Sequence, residues 1–429
     1  MARRAVAIIG ANYGDEGKGL TTQYLAQLGS HVGKTVVVKH NGGCQSGHTV
    51  RTDDGKHHVF HQYGSATLIN VPTFLAHTYI VNIQELLVES VELSRKGQFP
   101  NPNDLPPIMV DPEAILSTPY DVMLNWVQEQ LRNENAHGSC GFGIHETTVR
   151  CRHPEYVTKV KDLTDIPTLM QKVVNIRDQY VDERLKSIVE AQTRPIDQKL
   201  IDNIMDRSDI ILEQFMTDCL AAHNHVIDFT IPSALLAYDN VIFETGQGLI
   251  LDQTLGTMPH CTPSNTGLTN IVDFVEYDGK FDSLDVVYVT RTYTTRHGNG
   301  PLECSQNHPI FHPTVDLTNV PNLFQGAIRY APLHLENLDS YTRVDFHMTK
   351  HLDIPCRKHL MITCCDQVQG MLVPHILPES GINYGPLDEV LNILSRELQP
   401  TSIMTSYSAT GSAVTLWKRC NPAIFTIPS

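Results

Sequence analysis

The 429-residue chain has no stretch approaching about 18 consecutive apolar residues, so no segment of it has the length of a membrane span. The apolar run Ala5-Val6-Ala7-Ile8-Ile9, which follows Met1-Ala2-Arg3-Arg4, is far too short for a signal peptide and reads as a buried strand. Its ten cysteines form no C-x-x-C pair, and a chain of this length holds a core without disulfides, so a reducing cytoplasm is the expected compartment. Positive charge is also scarce. Against 47 Asp and Glu there are 32 Lys and Arg, a formal charge of −15, which removes the electrostatic footprint of a general nucleic-acid binder. His57, His58 and His61 bunch together, but no cysteine or carboxylate stands at ligand spacing, which favours a hairpin surface over a structural metal site. Internal repeats and low-complexity linkers are absent. What remains, 41% hydrophobic and 18% charged, is a core-forming chain without membrane or nucleic-acid partners.

Length alone fits two or three domains, or one large α/β domain with insertions. The first 90 residues favour the latter. Val6–Gly10 reads as a strand, a glycine-rich turn follows, Thr21–Leu28 reads as a helix and Thr35–Lys39 as a second buried strand, the order of a βαβ unit in a parallel sheet. Asp53-Asp54-Gly55 is a hairpin turn signal ahead of a strand-like His57–Gln62, and Phe99–Pro107 should be a surface loop. Residues 163–235 read as a helical insertion, with Ile188, Ile201, Ile204, Ile211 and Leu212 at helical spacing. Buried strands return at Asn240–Glu244, Asp285–Thr290 and Met361–Cys365. A helix is expected over Pro386–Leu398, with its proline in the first turn, and late strands at Ser402–Ser406 and Phe425–Ile427. Strands from both ends of the chain are expected in one sheet.

The chemistry concentrates in Gly10-Ala11-Asn12-Tyr13-Gly14-Asp15-Glu16-Gly17-Lys18-Gly19, between a strand and a helix. Glycines there let backbone N–H groups approach phosphate oxygens, the helix offers its positive end, and Lys18 adds a mobile charge. This is not the common P-loop, G-x-x-x-x-G-K-[ST], because Asn12 and Gly19 stand where that pattern has Gly and Ser or Thr. The hydroxyl that normally holds Mg²⁺ is missing. Two acids, Asp15 and Glu16, sit in the loop instead, where they would repel phosphate unless a cation or a proton transfer requires them. A second cluster, Gly42-Gly43-Cys44-Gln45-Ser46-Gly47-His48-Thr49, follows the next strand. Loops after successive parallel strands converge at the carboxyl edge of a sheet, so His48 can lie close to Asp15.

These motifs resemble those of the adenylosuccinate synthetases. Gly14-Asp15-Glu16-Gly17-Lys18-Gly19 matches that family's GDEGKG, and Gly42-Gly43 with Gly47-His48-Thr49 matches GGxNAGHT. Phe243-Glu244-Thr245-Gly246-Gln247-Gly248 is similar to FEGAQG. Leu251-Asp252, Gly256-Thr257-Met258-Pro259 and Thr262-Pro263-Ser264-Asn265-Thr266 are similar to LD…GTYPYVTSSNT. Tyr293-Thr294-Thr295-Arg296-His297-Gly298-Asn299-Gly300-Pro301 is similar to YSTRVGAGP. The resemblance implies an α/β fold: a large, mostly parallel central sheet flanked by helices, with helical and small β insertions. That is a P-loop-NTPase-like architecture with an atypical phosphate loop, spanning residues 1–429 as one domain.

The resemblance also implies a reaction, ligation of aspartate to C6 of IMP after phosphorylation of O6. Asp15 matches the catalytic base and a Mg²⁺ ligand, His48 the general acid, Lys18 a catalytic lysine, and the Gly47 carbonyl the second protein ligand to Mg²⁺. The triphosphate set carried over is Gly14, Asp15, Glu16, Gly17, Lys18, Gly19, Gly47, His48, Thr49, Arg329, Asp366 and Ser408. The monophosphate set is Gln45, Ser139, Cys140, Gln247 and Thr262, with Arg150 or Arg152 near the place of an arginine that the family borrows from a neighbouring subunit, which implies a homodimer. Asp366 matches an aspartate that reads a guanine edge, implying GTP as donor, with ATP or dATP as alternatives. The aspartate loop departs from the family pattern TTGRRRRTG. It reads Phe324-Gln325-Gly326-Ala327-Ile328-Arg329-Tyr330-Ala331, leaving Gly326 and Arg329 for the amino acid. That loss, and the altered base-binding loops, admit a related branch, mostly of bacteriophages, that acts on dGMP. Retention of Asp15 favours the ordinary reaction. A non-catalytic, nucleotide-binding paralogue is the reading from another class.

Overall fold

The structure, a computed structural model, describes residues 2–95, 99, 104–132, 140–192, 198–278, 280–303, 327–368, 370–378, 381–419 and 424–425. Ten strands form one sheet. From one edge to the other they are Val414–Arg419, Ser402–Ser406, Cys356–Thr363, Ser283–Arg291, Arg4–Gly10, Asn240–Gly248, Thr35–Lys39, Thr73–Leu75, Ile108–Val110 and Ile227–Phe229. Every neighbouring pair is parallel except the first, which is antiparallel. Strand Arg4–Gly10 is central, and alternate residues enter different cores: Ala5, Ala7 and Ile9 on one face, Val6 and Ile8 on the other. Burial on both faces is what a parallel sheet under helices demands, and it explains the unbroken apolar run. From this strand the chain first builds outward to one side, through Thr35–Lys39 and on to Ile108–Val110. Later it builds to the other, through Ser283–Arg291 and Cys356–Thr363. The carboxyl end of Arg4–Gly10 is therefore a topological switch point, where open α/β sheets bind ligands.

The described residues within 166–225 are largely helical, and Leu169, Val173, Ile188, Ile201, Leu212 and Phe215 share one core with helices Ile83–Arg95 and Pro119–Arg132. The segment then returns to the sheet, because Ile227–Phe229 is its edge strand. The short strands His48–Arg51 and His57–Phe60 form the hairpin around Gly55, and a three-stranded sheet joins Leu333–His334, Val373–Leu377 and Gly381–Gly385. Two expectations need correction. Pro386 precedes the helix Leu387–Leu398 as its N-cap, in an extended conformation. Phe425 lies in a bend packed against the core, while Thr426 and Ile427 of the expected last strand lie outside the described residues; the late strand described is Val414–Arg419.

Asp345, on helix Leu335–Phe346, is buried against the sheet. It accepts hydrogen bonds from the Leu268 N–H and the Tyr288 hydroxyl, both at 2.8 Å. Burial pushes its carboxyl up to about 7. The folded chain thus holds a proton that the unfolded chain releases near pH 4. Stability from this site falls as the pH rises from about 4 to about 7 and is level above. Melting curves of the parent and Asp345→Asn should therefore diverge in the variant's favour across that window; parallel curves would show that Asp345 is ionised in the fold.

Candidate functional site

Three loops emerge side by side at the carboxyl edge of the central strands. The first, after Arg4–Gly10, is tightly wound: Gly14, Asp15 and Gly17 have φ of 104°, 63° and 96°, the left-handed region that glycine enters freely and aspartate does not. Gly10 is required for space, since a Cβ there would stand 2.5 Å from Glu16 Oε2 and 2.9 Å from Lys18 Nζ. Helix Lys18–Ser30 starts directly after Gly17, so its free N–H groups face the loop.

Within this loop the two acids have opposite fates. Glu16 is turned inward. Its Oε1 accepts the backbone N–H groups of Asn12 (3.1 Å) and Gly14 (2.7 Å), and Oε2 pairs with Lys18 Nζ at 3.2 Å. The Glu16 carboxylate thus occupies donors of the cradle itself. Asp15 is turned outward and is about a quarter exposed, with Oδ2 3.2 Å from His297 Nε2. Its carbonyl accepts from Arg291 Nε.

The second loop brings His48 against the first, and a Cβ on Gly19 would meet His48 and Thr49 main-chain atoms at 3.2 and 2.9 Å. His48 Nδ1 lies 2.7 Å from Oε1 of Glu244, which is wholly buried in strand Asn240–Gly248. Glu244 also accepts from the Ser65 N–H at 3.0 Å and from the Ser65 hydroxyl. His48, Lys39 and Ser65 hold its carboxyl down at about 2 against the effect of burial. Burial lowers the His48 pKa, opposed by Glu244. Glu244 is therefore an ionised carboxylate that takes the Nδ1–H of His48 and leaves Nε2 as the ring nitrogen for a ligand.

Beside it, Gln45 and Gln247 meet over Gly42, and each has a buried amide oxygen with no partner among the described residues. Gln247 has φ of 57°. Together with Thr262 and Arg152, which line an adjoining cavity with Gly42, they mark a pocket for a polar ligand. Cys140 lies at its rim, its Sγ 3.6 Å from the Gln45 carbonyl. Arg150 does not belong here. It is fully buried, bidentate to Asp121 at 2.8 and 2.9 Å, and donates to the carbonyls of Leu116 and Tyr156. A guanidinium so engaged cannot leave without stranding Asp121, and the exposed Arg152 is the arginine of this segment available to a ligand.

Arg329 donates to the carbonyls of Gly298 and Gly300, so it buttresses the loop that carries His297. Asp366 is exposed in the turn Cys365–Val368. That turn follows Thr363, whose hydroxyl holds the Glu16 carbonyl at 2.7 Å, so the turn bearing Asp366 is anchored to the phosphate loop. Ser408 Oγ bonds within its own turn, to Thr410. Gly47 is exposed beside His48. Ser139 and Gly326 lie outside the described residues. Glu244, Lys39, Arg291 and His297 were not singled out from sequence as site residues. Glu244 and His297 stand inside recognised motifs, which was the available signal.

Residues 7–318 match the family model described as adenylosuccinate synthetase. The chain belongs to the adenylosuccinate synthetase family. This is a family of ligases that form C–N bonds, acting in purine biosynthesis. An adenylosuccinate synthetase of Clostridium perfringens is 30% identical over 304 residues, 70% of this chain and 64% of that relative. One from Prochlorococcus marinus strain MIT 9515 is 29% identical over 370 residues, 81% of this chain and 77% of the relative. The chain thus spans somewhat under two thirds of the former and over three quarters of the latter. Among solved structures, the fully ligated adenylosuccinate synthetase of Plasmodium falciparum shares the fold, with a TM-score of 0.69 at 16% identity over 96% of this chain and 99% of that one. The cyanophage S-2L succinoaminodeoxyadenylate synthetase, bound to dGMP and to dATP as an energy donor, also shares it, with a TM-score of 0.56 at 13% identity over 97% and 96%. Among the described residues no helix is long and apolar enough to cross a membrane.

The two arginines of segment 144–152 separate structure from binding. Arg150→Ala should destabilise the fold by about 3–5 kcal/mol, the cost of an uncompensated buried charge. Arg152→Ala should leave the melting temperature unchanged and weaken purine monophosphate binding by calorimetry. Equal melting temperatures for the two variants would contradict the assignment.

Proposed function

We propose that the chain ligates L-aspartate to C6 of IMP through a 6-phosphoryl intermediate, with GTP as phosphoryl donor, giving adenylosuccinate. The observation that carries this reading is one phosphate cradle with an outward carboxylate, Asp15, in its turn and, packed against Gly19 at the start of its helix, the loop of a carboxylate-tethered imidazole, His48. Asp15 takes the proton from purine N1, which makes O6 the nucleophile toward the γ-phosphorus. His48, held through Nδ1–H by the Glu244 carboxylate, faces O6 with Nε2, and as the imidazolium that this carboxylate supports it donates Nε2–H to the charge that develops there. Displacement of the phosphate from C6 by the amino group of aspartate completes the ligation. The Gly14 to Gly19 backbone and Lys18 hold the triphosphate. Gln45, Cys140, Gln247 and Thr262 surround the monophosphate, with Ser139 joining them by position in its motif. Arg329 and Gly326 remain the candidates nearest the amino acid, and Asp366 and Ser408 those nearest the donor base.

The residues fit a Mg²⁺ ion. Asp15 and the Gly47 carbonyl would supply two hard oxygens to it, the rest of its shell coming from phosphates and water. When bound it would neutralise phosphate charge. The arginine that the family borrows from a neighbouring subunit falls near Arg152 at the rim of the cavity beside Gly42, which supports a homodimer whose interface adjoins it. The cytoplasm is the proposed compartment.

A second reading, the same chemistry on dGMP, is favoured by one feature: the two unpartnered amide oxygens of Gln45 and Gln247 suit a purine with an exocyclic amino group. The fold shared with the cyanophage enzyme is consistent with it. Product masses from IMP, dIMP, GMP and dGMP, each with GTP, ATP or dATP and with aspartate or glutamate, separate the readings. Adenylosuccinate from IMP and GTP is expected. Product only from dGMP would shift the assignment to the second reading, and tight binding without turnover on any purine would indicate a non-catalytic paralogue. On the productive substrate, Asp15→Ala should abolish phosphate release and His48→Ala should lower kcat on the order of 10²-fold. Parental rates in either variant would remove that residue from its role.

A further inference from the structure

The loop that carries Asp15 is gripped by the segment leaving strand Ser283–Arg291. Asn12 Nδ2 donates to Thr290 Oγ1 at 2.9 Å, Arg291 Nε donates to the Asp15 carbonyl, and Thr295 Oγ1 donates to the Gly14 carbonyl at 3.1 Å. These three contacts fix the backbone. They account for how Asp15 is kept at φ of 63°, a conformation that a non-glycine residue retains when its surroundings over-determine it. None of them touches the carboxylate. That contact comes from His297, whose Nε2 stands 3.2 Å from Oδ2.

His297 is itself well placed to act as a fixed donor. Arg329 holds the carbonyls of Gly298 and Gly300, and Arg296 Nη1 donates to the Pro301 carbonyl at 2.8 Å, so the loop bearing the imidazole is braced on both sides. Its Nδ1 is buried with no partner among the described residues, so the ring nitrogen with a polar neighbour there is the one facing Asp15. In the motif that this stretch resembles, the same place is held by valine, which has no donor.

We propose that His297 is a positioning residue for Asp15. Its Nε2–H holds Oδ2, restricts rotation of the carboxylate about its Cβ–Cγ bond, and leaves Oδ1 as the oxygen presented to the purine. A donor here limits the loss of orientation that a partly exposed carboxylate in a glycine-rich turn otherwise suffers. The proposal rests on the reading of Asp15 as proton acceptor. The phosphate-cradling N–H groups do not depend on His297, so binding and turnover should respond differently to its replacement.

Steady-state kinetics on the productive substrate pair, with the parent, His297→Val and His297→Gln, test this. His297→Val should lower kcat on the order of 10-fold with KM for the triphosphate within about twofold, and His297→Gln, which keeps a donor, should recover most of the loss. A rise in KM with kcat unchanged, or a glutamine variant no better than valine, would overturn the proposal. Crystal structures of the three unligated proteins give a readout independent of activity. One Asp15 rotamer is expected in the parent and the Gln variant, and several in the Val variant; a single unchanged rotamer in all three would overturn it. Should the parent turn over no purine, the catalytic reading of Asp15 fails while the rotamer comparison still judges the contact.

Discussion

A carboxylate buried in the middle of a parallel sheet is costly unless charge and hydrogen bonds meet it, and Glu244 is such a group. Meeting it draws together parts of the chain that are far apart in sequence. Ser65 supplies two donors, His48 a ring N–H, and Lys39, itself buried in the neighbouring strand, a positive field. Lys39 donates to the His61 carbonyl, and Glu89 accepts the N–H groups of His61 and Gln62, so the hairpin carrying His48 is tied into the helical layer as well. A demand set by electrostatics inside the sheet thus fixes where an imidazole emerges at its edge.

The phosphate loop solves a related problem in a different way. Its glycines would leave the turn free to collapse, and Glu16 prevents this by filling the turn from within, bound to two N–H groups and Lys18. Loops on the other side, through Thr363, Arg291 and Thr295, hold the same turn from outside. One acid thus becomes part of the scaffold so that the adjacent one can be presented. This division resolves the apparent contradiction of two negative charges in an anion-binding loop.

The strong periodic segments were legible in sequence. Thr35–Lys39 and Ser402–Ser406 coincide with strands, and the βαβ order of the first 40 residues follows from the apolar run, the glycines and the helix after them. Strands Thr73–Leu75, Ile108–Val110 and Ile227–Phe229 were not, because three residues carry no usable alternation. The strand expected over Met361–Cys365 starts earlier and stops at Thr363, since Cys364 turns to φ of 60°. At the site, spacing located the loops but not side-chain direction. Nothing in Asp15-Glu16 says which acid turns inward, and nothing near Arg150 reveals that its partner is Asp121, on another helix. Such pairings belong to tertiary packing and are visible only once the elements are assembled.

The central claim is that Glu244 sets the state and direction of the His48 imidazole. Nitrogen-15 NMR of the His48 ring near neutral pH tests it most directly. The account predicts a proton held on Nδ1 in the parent, and a loss of that preference in Glu244→Gln, where the carboxylate is gone. A ring whose Nδ1 carries no proton, or one indifferent to the loss of Glu244, would contradict it.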